Sequence, residues 1–345
     1  METVKRGILG VDNRDSFKYL KIADKFIEEF NLYCRADQAP DRKVMLELFQ
    51  QYVEVWQKQE ENAYVPKQPV QFRPSSTGSD LRSLALLAQG AEEDKREVQA
   101  HQYRWTNMGT KTGDFIQETV LQMEKHFPRL FGRPCSFRFD RTEEGYPMFE
   151  EFSTTTKEFD GWEVRGSTDG IIIYTNAETG EETRLGLEVK SKSTTNARTS
   201  YNSLKEAEPS HTWQVRTYAE LFDVDCYLVL YLNLSKFRWH LTQEYQDKYP
   251  DFRVFAVDTS KTFREQAIGR FQQAYDSAQT GELPKLDYTK WLFNGYKQAC
   301  VDSLTDKELE ELEQGYRNLP KTKKEAKMRA DYKFMLDGIK ERKTL

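Results

Sequence analysis

Two short stretches of the 345-residue chain carry residues that could do chemistry together. They are Gly166-Ser-Thr-Asp169-Gly170-Ile-Ile-Ile173 and, after a turn, Leu185-Gly-Leu-Glu188-Val189-Lys190. Side chains on a strand alternate between faces, so Glu188 and Lys190 point one way and Leu187 and Val189 the other. A turn over residues 176–180 folds the second strand beside the first and brings Asp169 near Glu188. Two carboxylates with a backbone carbonyl make a hard oxygen site suited to Mg²⁺ or Mn²⁺. A lysine two residues away can orient an attacking water or balance charge developing on a phosphate. That is the equipment of metal-assisted phosphodiester hydrolysis.

The acid–any–base triplet alone is weak, since this composition produces it about eight times by chance. Glu93 to Lys95 and Glu341 to Lys343 are such triplets, on predicted helices where the two side chains diverge. Strand context and the upstream Asp-Gly-Ile-Ile-Ile set 188–190 apart. A third piece lies on the next predicted helix, Trp213-Gln214-Val-Arg-Thr-Tyr218, where Gln214 and Tyr218 share a face. An ordinary amphipathic helix with an inward Tyr has the same pattern.

In that order, Asp169, Glu188-Val189-Lys190 and Gln214-x-x-x-Tyr218 resemble the PD-(D/E)XK nucleases, and specifically their RecB-like, phage-type exonuclease branch. The likeness covers about residues 72–300. It implies an α/β (α+β) core with a central mixed sheet flanked by helices. It further implies Asp169, Glu188 and the Val189 carbonyl as metal ligands, Lys190 at the nucleophile or phosphate, and Gln214 and Tyr218 as positioning groups. The family's upstream motif is Gly-x-x-x-His, with the His on metal. Here Gly113-Asp-Phe-Ile-Gln117-Glu118 departs from it, and Glu118 is the expected ligand, with Gln117 as the alternative. The Pro74-Ser-Ser segment is similar to the opening of iron–sulfur members. Asp80 stands where they have a cluster cysteine, and only Cys300 lies in the tail, so no iron–sulfur cluster is expected. The implied function is Mg²⁺- or Mn²⁺-dependent DNA hydrolysis, exonucleolytic rather than endonucleolytic, in recombination, repair or phage DNA processing. A recombination or single-strand-annealing protein is the implied partner. The alternatives are a catalytically weak DNA-binding or inhibitory protein, or an endonuclease.

The surrounding elements have to place these groups. Apolar residues recur at three- and four-residue spacing through 12–64, giving two helices parted by Pro40. Further helices are expected over 80–98 and from Gly113 to His126, then β-rich sequence from Ser136 to Lys190. A helix over 211–222, strands at 226–232 and 252–257, and helices over 263–279, 306–317 and 321–342 complete the pattern. This divides the chain into a helical extension (1–65), a nuclease-like core (66–300) and a charged helical tail (301–345). Residues 190–205 contain no acid but four bases, among them Lys192, Arg198 and Lys205, which suits phosphate contact. The tail from Tyr316 to Leu345 has ten Lys/Arg against four Asp/Glu.

Composition sets the outer limits. Forty-five aromatic residues argue against disorder. A net charge of −5 does not advertise a nucleic-acid binder by overall basicity. No apolar run approaches the ~20 residues of a membrane helix, and no leader pattern opens the chain, so a cytoplasmic protein without membrane contact is expected. Four widely spaced cysteines suggest neither a disulfide framework nor a cysteine-only zinc site.

Overall fold

The computed structural model describes residues 13–37, 39–235 and 238–344. Helices α1 (Asn13–Arg35) and α2 (Arg42–Glu61) come first, and Asp41 caps the second by accepting from Lys43 N at 2.8 Å. The expected helix start at residue 12 lies outside the described residues. Strand β1 (Val70–Phe72) leads through a turn at 74–76 into α3 (Leu81–Ala88), which is shorter than expected. Helix α4 (Ala100–Phe131) is longer than expected and runs straight through Gly109 and Gly113. The β-rich stretch yields β2 (Phe137–Phe139), β3 (Thr155–Glu158), β4 (Trp162–Gly166), β5 (Gly170–Thr175) and β6 (Glu182–Lys192). Then follow α5 (Pro209–Phe222), β7 (Cys226–Asn233), α6 (Gln243–Lys248), β8 (Phe252–Asp258), α7 (Lys261–Thr280), α8 (Lys297–Asp302), α9 (Asp306–Asn318) and α10 (Ala326–Lys343).

This is a mixed α/β fold. Five strands form the main sheet in the order β2-β5-β6-β7-β8, and only the β6–β7 pairing is parallel. Helix α5 makes the crossover that a parallel pair requires. A second sheet, β1-β4-β3, takes β3 and β4 out of the expected single meander. The cause is the three-residue β1, whose parallel pairing with β4 spans some ninety residues of sequence.

Alternation along the strands sorts the two faces. Leu185, Leu187 and Val189 of β6 share one core with Leu228 and Leu230 of β7, Ile116 and Val120 of α4, and Phe26 and Phe30 of α1. Gly186, Glu188 and Lys190 point to the opposite face, where Val215, Tyr218 and Ala219 of α5 pack on Tyr227, Val229 and Tyr231. Helix α1 therefore covers the main sheet, with Phe30 stacked on Phe252 at 4.9 Å. At the other end, an apolar cluster runs from Leu283 through Trp291 and Cys300 to Ile339, crossing residue 300 without a break. Arg82, 2% exposed, ties this cluster to α3 through Glu308 at 2.7 Å and the Ser303 carbonyl at 2.6 Å. Asp80 caps α3 through Ser83 N and accepts from Asp287 N at 2.7 Å.

Candidate active site

The strand sequence fixes the site's skeleton. Gly170 pairs with Leu187 at the start of β5, so Asp169 sits at the strand's entrance, opposite Glu188. Its Oδ2 accepts from Val189 N at 2.6 Å. Glu188 Oε1 lies 2.5 Å from Lys190 Nζ, and the same ammonium donates to Gln214 Oε1 at 3.2 Å. Gln214 in turn bonds the Tyr218 hydroxyl. The spacing of four on α5 thus does what the sequence suggests, turning both side chains toward the lysine. Pro209 in the first turn of α5 orients its start. Gly186 leaves room for the Tyr227 ring, since a Cβ there would lie 2.1 Å from the ring carbon bearing the hydroxyl. That hydroxyl lies 3.2 Å from Thr168 Oγ1, beside Asp169.

Three fully buried glutamates show what is peculiar about Glu188. Burial pushes Glu29 up, but hydrogen bonds from Arg133 and Ser136 outweigh it and hold the carboxyl below its ordinary range. Glu163 behaves likewise, satisfied by Tyr64, Gln71 and the Lys67 amide. Glu188 differs. Burial first, and then repulsion from Asp169, push it up to about 8 despite the Lys190 contact. Its Oε2 is buried without any hydrogen-bond partner. Asp169 is raised as well, chiefly by burial. Burial opposes the charge on Lys190, yet Glu188 and Asp169 outweigh it and raise its pKa. An orphaned carboxylate oxygen facing a second carboxylate is the donor chemistry of a hard cation. Among the described residues, no three His, Cys, Asp or Glu side chains group as a ready-made metal site. The two carboxylates fit one cation whose other ligands are backbone carbonyl and water.

The upstream helix requires a correction. Glu118, the expected ligand, is half-buried on α4, and its charged neighbours are Asp114 and Lys111. Gln117, 1% exposed, is the residue aimed at the site: its amide nitrogen donates to the Asp169 carbonyl at 2.9 Å and to Glu150 Oε1 at 3.2 Å. One step along a helix is a rotation of ~100°, which is why only one of the two neighbours can face the sheet. Glu150 is the carboxylate that the sequence reading missed. It sits at the start of a 3₁₀ turn, 150–153, with φ +42°, a left-handed conformation uncommon outside glycine. Burial and then Asp169 push it up to about 7. Nothing in Met148-Phe-Glu150-Glu151-Phe marks the first glutamate over the second; only the backbone turn selects it.

The basic residues after β6 are not gathered into one patch. Lys192 Nζ bonds Glu208 Oε1 at 2.6 Å, and Arg198 donates to Thr194 Oγ1 at 3.1 Å from an exposed turn. Lys205 lines a cavity with Trp213, Arg216 and Asp258, residues on the side of α5 away from Gln214. His211 lies 2.8 Å from the Tyr231 hydroxyl, and burial followed by the charge of Lys190 lowers its pKa to about 4. It is neutral beside the lysine. No helix among the described residues is long and apolar enough to cross a membrane.

No protein-family model matches the chain, and no curated protein sequence matches it. Among solved structures, it is similar to the protein SSO0001, at 11% identity over 75% of this chain and all of that one, with a TM-score of 0.34. An alkaline exonuclease from Laribacter hongkongensis aligns at 9% identity over 61% of this chain and 89% of that chain, TM-score 0.34. A phage-related exonuclease from Haemophilus somnus aligns at 11% identity over 61% and 94%, TM-score 0.29.

Proposed function

We propose that the chain is a metal-dependent deoxyribonuclease of the PD-(D/E)XK type, working from DNA ends. The observation that carries this reading is the buried pair Asp169–Glu188, with an unpartnered carboxylate oxygen, set beside a lysine held by Gln214. Asp169, Glu188 and the Val189 carbonyl would hold Mg²⁺ or Mn²⁺, and the ion would supply an activated water and offset charge on the phosphate. Lys190 has three donors. Glu188 and Gln214 occupy two, and the third serves the nucleophile or a phosphate oxygen of the scissile bond. Gln214 and Tyr218 keep the ammonium from turning away, and Thr168 with Tyr227 fixes the entrance of β5. Glu150 adds a carboxylate beside Asp169, where Gln117 stands in place of the family's metal-binding His. In this reading the substrate is DNA and the setting is recombination, repair or phage DNA processing in the cytoplasm, with a recombination protein as partner.

A second reading rests on Gln117. An amide stands where the family places a metal ligand, and among the described residues no third side-chain ligand joins the pair, as in a DNA-binding scaffold with little turnover. Incubating linear and closed circular DNA with Mg²⁺, Mn²⁺ or EDTA separates the readings. Degradation of linear DNA that EDTA stops supports the exonuclease. Equal cutting of closed circles makes it an endonuclease, and tight binding without cleavage makes it a scaffold.

A further inference from the structure

We infer that the outer face of α2 is a self-association surface, on which a second copy of this chain lays its own α2 antiparallel across a two-fold axis. Helix α2 carries two apolar stripes. Met45, Leu48, Tyr52 and Val55 turn inward, onto the core that holds Ile116 and Val120 of α4. Leu46, Phe49, Val53 and Trp56 form the second stripe, each 48–59% exposed. At ~100° per residue their 3-4-3 spacing confines them to an arc of about 80°. That is the seam of a two-helix coiled coil. Trp56 is held in the row by stacking on Tyr52 at 5.2 Å, and Tyr52 lies on Phe152 at 4.6 Å. The opposite flank is already engaged with the chain itself, since Glu54 accepts from the Tyr146 hydroxyl and Lys58 lies over the same ring. Four large apolar side chains in one row, left in water, mark a binding surface rather than a folding need.

The two ends of the row identify what covers it. Arg42, one turn before Leu46, and Glu60, one turn after Trp56, continue the same arc, and both are exposed. Neither enters an ion pair among the described residues. Their signs run against the helix dipole, which favours acids at the N-terminus and bases at the C-terminus, so they do not serve α2 itself. Laid antiparallel on a copy of itself, the row is self-complementary. Arg42 meets the partner's Glu60, Leu46 the partner's Trp56 and Phe49 the partner's Val53, with the axis passing at the level of Gln51. Each charge then faces its opposite and each large side chain a smaller one. A parallel copy would instead set arginine on arginine and glutamate on glutamate. Gln50 and Gln57 border the open side of the row without charge, so nothing there repels the copy. Such a face is isologous and closes at two copies. Helix α2 packs on α4 and the 150–153 turn and contributes nothing to the carboxylate pair, so the inference stands apart from the nuclease reading.

The test is sedimentation velocity on the full chain, without DNA, over about 1 to about 100 µM. One helix pair is a small interface, so wild type is expected to form a reversible dimer with a Kd on the order of 10 µM. Phe49→Gln, an exposed change in the middle of the row, is expected to weaken it at least about tenfold while leaving the melting temperature unchanged. Arg42→Glu and Glu60→Arg are each expected to weaken self-association about tenfold, because each change enters twice across the axis. An equimolar mixture of those two variants is expected to return to within about threefold of wild type, since the mixed dimer has opposite charges at both ends. A wild-type chain that stays monomeric throughout the range overturns the inference, and so does a dimer indifferent to Phe49→Gln. A mixture that associates no better than either variant alone overturns the antiparallel pairing on which the inference rests.

Discussion

At the residue scale, the account turns on carboxylates that burial has left short of counter-charge. The unfolded chain releases the Glu188 and Glu150 protons in the ordinary carboxylate range, whereas the folded chain keeps them up to about 8 and about 7. Between those limits the native state binds more protons than the unfolded one, so stability falls as pH rises from about 5 to about 8. In the proposed reading, a divalent cation would replace those protons. Thermal melts in EDTA are therefore expected to show a lower Tm at pH 8 than at pH 5, and the rise on adding Mg²⁺ should be larger at pH 8. Stability that climbs across the same range, with a pH-independent Mg²⁺ effect, would count against the pair as a cation site. Glu150→Gln keeps the acceptor for Gln117 but removes the charge. It is expected to lower the cleavage rate about tenfold, as loss of a residue supporting a metal ligand does, and Glu118→Gln to change it by less than twofold. Cleavage rates measured against Mg²⁺ concentration for both variants check this. Asp169, Glu188, Lys190 and Gln214 were legible because strand alternation and helical spacing are local. Glu150 was not, because its approach to Asp169 depends on a left-handed backbone that no local pattern announces.

At the element scale, long periodic segments were legible and short ones were not. The strands at 226–232 and 252–257 and the helix at 211–222 match β7, β8 and α5 within two residues at each end. The second sheet was invisible, since a three-residue β1 has no periodicity and its partner is remote in sequence. Helix α4 outran its expected start because glycines at 109 and 113, ordinarily helix-weakening, are used where the helix passes close to Ser191 and Glu150. Gly186 makes the same point within a strand. The Tyr227 ring lies over it, so Gly186→Ala forces the ring, and with it Thr168 beside Asp169, out of place. Overpacking at such a site is expected to cost about 3 kcal/mol and to lower activity in the molecules that still fold. Urea denaturation gives the first quantity and cleavage at matched folded fraction the second. A Gly186→Ala variant as stable as wild type would mean that the ring's position does not matter.

At the scale of the whole molecule, helices that looked peripheral in sequence are built into the cores. Phe26 and Phe30 of α1 belong to the same cluster as Leu187 and Val189, beneath β6. The last helices close around Trp291 and are fastened to α3 by Arg82, whose guanidinium meets Glu308, Ser303 and Pro284. Such tertiary ties lie outside what periodicity can reveal, because the spacing of α1 or α10 fits a solvated helix as well as a covering one. What unites these scales is the claim that Lys190 acts on a phosphodiester beside a cation held by Asp169 and Glu188. The most direct measurement is the rate of nucleotide release from linear DNA by wild type and Lys190→Ala at matched Mn²⁺ occupancy, fixed by calorimetric titration of each. Wild type is expected to cleave and to stop in EDTA, while Lys190→Ala binds Mn²⁺ with similar affinity and cleaves at least about a hundredfold more slowly. Cleavage by Lys190→Ala at the wild-type rate, or cleavage by either protein that EDTA leaves untouched, would contradict the account.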